Sequence, residues 1–365
     1  MPAIIKQFFF KSHEMTLSDP RFLSLNQWLN RYFSCDVKPV LISGDASFRR
    51  YFRVLVEGSH FIVADSPPQL VPISPFIALA DAYTRAGLTV PEVIAYDTEQ
   101  GFMLLSDLGD VQLLSVLNQK NVADYYRSAL ALLPKVATVV ESVDPQTKQV
   151  LPLPTYDDAF VRRELHIFVE WLLGTHLNLT LTADDNALID SSFDTLVDNA
   201  LEQPRVGMHR DYHSRNLMLK EDALCVIDFQ DAVIGPVTYD AVSLLRDCYI
   251  RWPQNMVNEL MTEHYQQCLE RNLISQGTRL EQFQRWFDLM GLQRHIKAAG
   301  IFARLNYRDN KPAYMKDIPL TLSYIVDIAK AYPELSAFAL WMESKVVPAF
   351  NSAVVNQSTS AGVQS

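Results

Sequence analysis

The chain has 365 residues, of which 48% are hydrophobic and 20% are charged, and its formal net charge at pH 7 is −10. This length and apolar content are enough to bury the cores of two lobes. The acidic balance argues against a nucleic-acid partner, which would need a basic stripe, and no apolar run reaches the length of a transmembrane helix. We therefore expect a cytoplasmic protein without a membrane partner, with a monomer as the default state.

The cysteines and the first residues agree with a cytoplasmic location. Cys225 and Cys248 lie in apolar segments, and none of the four cysteines belongs to a Cys-x-x-Cys pair, so we expect reduced thiols in the core. The segment from Met1 to Lys11 contains a short apolar patch but lacks the long apolar region and the cleavage site of a signal peptide.

Residues 1–106 are predicted to form a small β-rich lobe. Helical periodicity covers residues 21–33 and 73–86, whereas short apolar runs bounded by turn residues indicate strands. Residues 107–110 follow the last of these strands and are predicted to form a hinge between lobes. The predicted strands span residues 39–42, 49–56, 60–64, 90–96 and 101–105.

Residues 111–350 are predicted to form a larger, mainly helical lobe, because apolar residues recur there with helical spacing. The tail at 351–365 is small and polar, so we expect it to be disordered. The predicted helices of the larger lobe span residues 125–140, 156–173, 186–201, 240–249, 256–272, 280–305 and 321–332.

The most informative segment of the chain surrounds a predicted hairpin. Residues 217–220 and 223–227 are predicted to form two strands joined by a two-residue turn. A tight hairpin brings together the residues that flank it, so Asn216 and Asp228 are predicted to lie side by side. Asp211 lies one loop upstream of this pair.

These three side chains supply the chemistry of phosphoryl transfer. The amide oxygen of Asn216 and the carboxylate of Asp228 are hard oxygen ligands that suit Mg²⁺. The nearby carboxylate of Asp211 can take a proton from an attacking hydroxyl group. Together they form the minimum apparatus for moving the γ-phosphoryl group of ATP, which predicts ATP and Mg²⁺ as cofactors.

The pattern His209-x-Asp211-x-x-x-x-Asn216, followed by a strand and Asp228-Phe229, resembles the catalytic core of the protein-kinase-like superfamily. It is most similar to the aminoglycoside phosphotransferase branch, in which a His often follows the catalytic Asp by two positions. Protein kinases proper are a poorer match, because the chain has neither their Asp-Phe-Gly nor their Ala-Pro-Glu segment.

The resemblance implies an α+β fold with two lobes, a small antiparallel β-rich N-lobe and a larger, mainly helical C-lobe. It also implies that Asp211 is catalytic and that Asn216 and Asp228 bind the metal ion. His209 and Asp240 are then expected to support the catalytic loop from inside, Asp240 by accepting hydrogen bonds from the loop backbone.

Longer segments narrow the resemblance to the bacterial anomeric amino-sugar kinases of cell-wall recycling. The resemblance implies transfer of phosphate from ATP to the C1 hydroxyl group of N-acetylmuramate and N-acetylglucosamine. The expected partner is therefore a small amino sugar. The matching segments include residues 45–53, 209–218, 228–240, 244–249, 293–297 and 300–305.

The nucleotide is expected to lie between the lobes. A loop between two strands, here residues 43–48, can direct backbone N–H groups at a phosphate. An ordinary hairpin loop is the alternative, because only one glycine lies there. The nucleotide candidates are Gly44, Ser47 and Phe48 in this loop, and Asp107 and Leu108 in the hinge, whose backbone can pair with adenine.

The chain departs from the family at the third strand, where kinases usually carry a Lys that holds the α- and β-phosphates. No Lys occurs from Ser43 through Tyr96. Arg49, Arg50 and Arg53 are the cations on the preceding strand, and arginine can contact phosphate oxygens bidentately. Arg50 is our nucleotide-binding candidate, and the alternative is that all three are solvated strand residues.

The acceptor site is less clearly specified by the sequence. Gln293, Lys297 and Arg304 share one face of a predicted helix, which could present cations to the carboxylate of N-acetylmuramate, although such faces are more often solvated. The substrate candidates are His213, Asp231, Arg246, Lys297 and Arg304.

Two other functions stay open at this point. One is a kinase that acts on an aminoglycoside, choline or another small alcohol. The other is a non-catalytic nucleotide-binding pseudokinase, which the missing Lys suggests. The presence of Asp211, Asn216 and Asp228 argues against the second.

Overall fold

The computed structural model describes residues 19–42 and 48–353. Gly44 and Ser47 of the predicted phosphate loop lie outside the described residues, as does most of the predicted tail. The first residues of that tail, 351–353, belong to the helix that precedes it.

The N-lobe is built on a five-stranded antiparallel sheet, which agrees with the predicted fold class. Its strands lie in the order β1-β2-β3-β5-β4 across the sheet. They are β1 (Val40–Leu41), β2 (Arg50–Val56), β3 (Ser59–Asp65), β4 (Val93–Asp97) and β5 (Phe102–Ser106).

A two-residue turn joins β2 to β3. Glu57 and Gly58 both have positive φ, at 50° and 81°. This is the type I′ geometry, whose twist matches the twist of the flanking strands. The turn fixes the register of the hairpin, in which Phe52 pairs with Val63 and Arg50 with Asp65.

Helix α1 (Pro20–Phe33) covers one face of the sheet. Its first turn is stabilised by the Asp19 side chain, which accepts a 2.9 Å hydrogen bond from the backbone N–H of Arg21. Leu25 and Leu29 of the helix are fully buried. They pack against alternate residues of the strands, namely Phe52, Val54, Val63, Phe102 and Leu104.

Helix α2 (Ser74–Arg85) lies at the boundary with the C-lobe. Its Phe76 and Tyr83 rings pack against Phe229, with ring centroids 4.9 Å and 5.3 Å away. Phe229 directly follows Asp228 in the chain. The apolar contact therefore ties the predicted metal-binding turn to a helix of the N-lobe.

The C-lobe is mainly helical, as predicted, and most of its helices form where apolar residues have helical spacing. The helices are α3 (Leu113–Val116), α4 (Val122–Leu130), α5 (Leu133–Ala137), α6 (Asp158–Ile167), α7 (Ala183–Glu202), α8 (Tyr239–Leu245), α9 (Gln254–Glu270), α10 (Leu280–Asp309), α11 (Ile318–Lys330) and α12 (Ser336–Trp341).

The helix predicted over residues 125–140 is two helices, α4 and α5. Pro134 lies in the first turn of α5. Proline has no backbone N–H, so it cannot continue the preceding helix but is tolerated at the start of a new one. A short hairpin of β6 (Glu141–Val143) and β7 (Val150–Pro152), which the periodicity did not predict, follows α5.

Helix α10 runs through the centre of the C-lobe and contacts most of its other helices. It packs closely against the π-helical segment Phe168–His176 that continues α6. A Cβ atom at Gly300 would lie 2.5 Å from the backbone nitrogen of Phe168, so only glycine allows this approach. Within the described residues, no helix is both long and apolar enough to span a membrane.

Two antiparallel strand pairs hold the segment that contains the predicted site. Strand β8 (Arg205–Met208) pairs with β11 (Val233–Pro236), and between them lies the hairpin of β9 (Leu217–Lys220) and β10 (Ala223–Val226). The predicted hairpin is therefore present. Cys225 and Cys248 are buried free thiols, as expected.

Candidate active site

The β9–β10 hairpin brings Asn216 and Asp228 together. The Asn216 side-chain N–H donates to an Asp228 carboxylate oxygen at 3.3 Å, and the Ile227 backbone N–H donates to the Asn216 carbonyl at 3.0 Å. Asp228 has a φ of 65°, which is uncommon for a residue other than glycine. The turn thus directs the carboxylate back toward Asn216, which is the arrangement that the hairpin predicts.

Asp211 lies on the loop that precedes the hairpin, and its backbone is anchored to the same pair. Its carbonyl accepts hydrogen bonds from the Asn216 side chain and from the His213 backbone N–H, both at 3.0 Å. The carboxylate itself accepts no hydrogen bond from any described residue and is partly exposed. It is therefore available to a hydroxyl group that enters the cleft.

The Asp211 carboxylate is ionised at neutral pH. Burial alone would raise its pKa, but the charges of Lys297 and Arg210, together with protonated His213, outweigh burial and lower the pKa to about 2. A carboxylate in this state can accept a proton but has none to donate.

His209 braces the catalytic loop from inside, as expected. Its Nδ1 accepts a 3.2 Å hydrogen bond from the Asp211 N–H, and its Nε2–H donates to the Ile227 carbonyl at 3.0 Å. Burial lowers the pKa of His209 to about 4, so the ring is neutral and can make both contacts. The ring links the loop of Asp211 to the turn that carries Asp228.

Asp240, in the first turn of α8, holds the loop from the other side. Its two carboxylate oxygens accept hydrogen bonds from the backbone N–H groups of His209 and Arg210, at 2.7 Å and 3.0 Å. Burial raises the pKa of Asp240 to about 7, even though these two donors favour the charged form. Asp240 therefore has the supporting position that the resemblance implied.

A cleft of about 380 Å³ lies between the lobes, and Asn216 and Asp228 are part of its wall. This volume falls within the range of small-molecule sites. The hinge forms one edge with Asp107 and Leu108, and apolar side chains form the faces. These are Ile62, Leu105, Met218 and Ile227.

The hinge candidates differ in what their backbone can offer. The Asp107 carbonyl accepts a 2.9 Å hydrogen bond from the Lys220 ammonium group, and the Asp107 side chain accepts one from the Gly109 N–H. The Leu108 side chain is buried against Met218 and Cys225. The hinge is thus fixed by contacts from both lobes.

Phe48 is the one residue of the predicted phosphate loop that the structure describes, and its side chain is exposed.

Arg49, and not Arg50, lies in the wall of the cleft. Arg49 lines the cleft, is buried, and donates a 2.6 Å hydrogen bond to the Ser66 hydroxyl group. Arg50 pairs with Asp19 and Asp65 and is not part of the cleft wall. The choice of Arg50 is therefore not supported by its position, because adjacent residues of a strand point to opposite faces.

Arg53 shares the cleft face with Arg49 but is held by the hinge. It forms salt bridges to Asp107 at 2.6 Å and to Asp110 at 2.8 Å. These carboxylates raise the pKa of Arg53 above its already high value. Arg53 therefore fastens β2 to the hinge, and its charge is largely neutralised.

Two of the substrate candidates lie beside the catalytic loop. The His213 ring meets the edge of the Tyr249 ring at 5.4 Å, and its Nδ1 is buried without a hydrogen-bond partner among the described residues. The Asp231 side chain is exposed, and its backbone carbonyl accepts a hydrogen bond from Arg210. Their roles toward a substrate stay predictions.

Lys297 is buried close to the loop and already forms a salt bridge. It forms a 2.9 Å salt bridge with Glu164 and donates to the Tyr239 hydroxyl group at 3.1 Å. Gln293 also meets Glu164, at 3.3 Å, so these two residues share a helix face as predicted. That face is buried rather than solvated.

Two further substrate candidates lie elsewhere. Arg246 is 3% exposed and forms a 2.5 Å salt bridge with Asp288 in the helical core, so its position does not support a substrate role. Arg304 is half-buried, and its charged neighbours are Arg308, Asp309 and Glu170 rather than the catalytic loop. Helical spacing aligned Arg304 with Lys297, but the two lie nearly two turns apart along α10.

Comparison with known proteins identifies the family. Residues 39–272 match the phosphotransferase enzyme family. The chain belongs to this family. A relative from Pseudomonas putida, an N-acetylmuramate/N-acetylglucosamine kinase, is 41% identical over 294 residues, which cover 80% of this chain and 84% of that protein. A kinase of the same name from Neisseria meningitidis serogroup B is 36% identical, with 88% of this chain and 96% of that protein covered.

Solved structures of more distant proteins share the fold. A Plasmodium vivax ethanolamine kinase has a TM-score of 0.58 at 11% identity, covering 87% of this chain and 89% of that one. Aminoglycoside phosphotransferase APH(4)-Ia, in a ternary complex with AMP-PNP and hygromycin B, has a TM-score of 0.53 at 14% identity, covering 84% and 97%. The predicted family, two-lobed fold and kinase class of this phosphotransferase are therefore confirmed.

Sequence reasoning missed three charged residues of this family member that lie around the loop. Arg210, with a φ of 74°, forms a 2.8 Å salt bridge with Glu164. Arg294 is buried on α10 one residue after Gln293. The available signal was the presence of Glu164 and Arg294 in amphipathic helical segments and of Arg210 beside Asp211, but the partners of these residues come from distant parts of the chain.

Proposed function

We propose that this protein transfers the γ-phosphoryl group of ATP to the C1 hydroxyl group of N-acetylmuramate and N-acetylglucosamine. The observation that carries the proposal is the position of Asp211. Its carboxylate accepts no hydrogen bond from the described residues, and its backbone is bonded to Asn216, which lies with Asp228 in the wall of the interlobe cleft. The choice of sugar rests on the names of the relatives that are 36% and 41% identical over most of the chain.

The side chains at the cleft fit a magnesium–nucleotide complex. Asn216 and Asp228 offer amide and carboxylate oxygens, and the described residues contain no cluster of three His, Cys, Asp or Glu side chains that could enclose a metal ion. Mg²⁺ is commonly held by one or two protein oxygens, with phosphate oxygens and water completing its six ligands. When bound, Mg²⁺–ATP supplies the phosphoryl group and neutralises its charge.

The residues of the chain orient the acceptor, accept its proton and contact the phosphates. Asp211 orients the acceptor hydroxyl group and accepts its proton as the new P–O bond forms. An anomeric hydroxyl is more acidic than other sugar hydroxyls, so it is less mismatched to a carboxylate of low pKa. Arg49 lines the cleft just before β2, not on the third strand where the family usually carries a Lys, and its guanidinium can contact phosphate oxygens.

The acceptor and the position of the new phosphate test this proposal. The protein is incubated with ATP, Mg²⁺ and N-acetylmuramate, N-acetylglucosamine, glucose, choline or an aminoglycoside, and products are examined by ³¹P NMR. The expected product is an acid-labile sugar 1-phosphate whose phosphorus couples to the anomeric proton, with glucose used poorly. Phosphate at C6, or a preference for glucose, choline or an aminoglycoside, would reject the amino-sugar assignment.

A further inference from the structure

Arg294 is a buried cation that forms no salt bridge with any carboxylate among the described residues. It lies in the middle of α10 and is 6% exposed. Its Nε and Nη1 atoms are buried, and no described residue accepts a hydrogen bond from them. No salt bridge within 4 Å holds Arg294 in the described part of the chain.

The other well-buried cations around the helical core each form a salt bridge with a carboxylate. Lys297 and Arg210 both pair with Glu164, at 2.9 Å and 2.8 Å. Arg246 pairs with Asp288 at 2.5 Å. An uncompensated buried charge is unfavourable, and buried N–H groups are normally hydrogen-bonded. Arg294 therefore departs from the pattern of its own lobe.

Arg294 lies near Tyr239 and the loop that carries Asp211, where the acceptor hydroxyl group is proposed to bind. Its guanidinium lies 5.4 Å from the centre of the Tyr239 ring. Its positive charge lowers the pKa of Asp211 and that of His213, although it forms no ion pair with either. Arg294 thus lies close enough to the catalytic loop to lower the pKa of both side chains. Its Nε and Nη1 donors have no acceptor among the described residues.

We propose that Arg294 binds the carboxylate of N-acetylmuramate and thereby determines how well this acid is used relative to the neutral N-acetylglucosamine. This proposal rests on the proposed function, in which both sugars are acceptors. A guanidinium offers a fork of donors that matches a carboxylate, and contact with the Tyr239 ring holds it in one orientation. Lys297, the earlier candidate, is already engaged in a salt bridge with Glu164.

The test compares two acceptors in one variant. For Arg294→Gln, kcat/KM for N-acetylmuramate is expected to fall by about 10–100-fold, the size of a lost charge-assisted hydrogen bond. The value for N-acetylglucosamine is expected to stay within about threefold. Thermal stabilisation by N-acetylmuramate should be lost as well, whereas that by N-acetylglucosamine should remain.

Two further variants keep the test decisive. Arg294→Lys retains the charge but loses the fork, so a smaller fall for N-acetylmuramate alone is expected, and this variant decides the outcome if Arg294→Gln does not fold. Arg285→Gln removes a half-exposed arginine of the same helix that pairs with Glu334, and it should leave the ratio of the two sugars unchanged.

Four outcomes would overturn the proposal. Equal losses with both sugars would mean that Arg294 acts through Asp211 or through the fold. An unchanged ratio in both Arg294 variants would mean that it does not contact the carboxylate. Wild-type protein that phosphorylates N-acetylglucosamine but not N-acetylmuramate would reject only this inference, whereas activity on neither sugar would reject the proposed function too.

Discussion

The catalytic loop and helix α10 place charged residues near one another in different ways. Asp211, Asn216 and Asp228 are close in sequence, and a single hairpin with its preceding loop brings them together. Gln293, Arg294 and Lys297 instead contact side chains of α6 and α8, which are distant in the chain. The residues proposed for phosphoryl transfer are thus brought together by local structure, whereas those proposed for the acceptor are assembled by tertiary packing.

The largest expected effect is on the local part of the site. Asp228→Ala should abolish Mg²⁺-dependent ATP turnover, with a loss of more than about 10³-fold, because metal stabilisation of transition-state charge contributes several kcal/mol. The measurement is the steady-state rate at several Mg²⁺ concentrations, with circular dichroism as the control for folding. A folded variant of near-normal activity would show that Asp228 is not a metal ligand.

The next effect separates the proton acceptor from the metal ligands. Asp211→Asn should lower kcat by about 10²–10⁴-fold, the usual contribution of a general base, while KM for ATP changes little. Asn keeps the shape of the side chain, so the backbone contacts of the loop should be preserved. Loss of ATP binding with an unaffected rate at saturation would contradict this role.

The two faces of β2 provide a smaller and more discriminating test. Arg49→Gln should raise KM for ATP by about tenfold, because its guanidinium lies at the cleft. Arg50→Gln should leave KM for ATP unchanged and lower the free energy of unfolding by about 0.5–1 kcal/mol, since Arg50 is partly exposed and Arg21 still pairs with Asp65.

The matched Arg49 and Arg50 variants are measured together, by initial rates against ATP concentration and by urea denaturation. A rise in KM for Arg50→Gln but not for Arg49→Gln would reverse the assignment. Near-neutral kinetics for both would mean that the metal ion and the backbone of the loop are sufficient to hold the phosphates.

The smallest effect concerns pH and compares a buried histidine of the catalytic loop with a buried histidine outside the site. Burial lowers the pKa of His209 in the catalytic loop and of His264 in α9 to about 4 in the folded state, against 6.5 for an ordinary histidine. The unfolded chain then binds more protons below pH 6.5, so stability present at neutral pH is lost as pH falls toward 4. Each residue should contribute a loss of about 1 kcal/mol between pH 7.5 and 5.5.

Urea denaturation at both pH values measures this loss. His264→Gln, which lies away from the cleft, should reduce the pH dependence by about half of the combined effect without changing the pH profile of kcat. An unchanged pH dependence in this variant would show that His264 is not held neutral by burial.

The sequence by itself determined the two-lobed fold and the proximity of Asn216 to Asp228. The reason is that alternating apolar residues specify strands and a two-residue turn leaves a hairpin one geometry. It also identified His209 and Asp240 as supports of the loop, through the family resemblance. These features depend on short segments in which local preference and the final structure agree.

Only the tertiary structure decided which cations line the cleft and which form salt bridges elsewhere. Arg49, Arg50 and Arg53 lie within five positions of one another, and the sequence does not show which of them face the cleft. Arg50 was therefore predicted to bind the nucleotide, although Arg49 lines the cleft and Arg50 does not. Arg246 and Lys297 have their carboxylate partners 42 and 133 positions away, whereas Arg294 has none among the described residues. Charge compensation depends on distances of a few ångströms between remote segments, and a sequence pattern does not contain them.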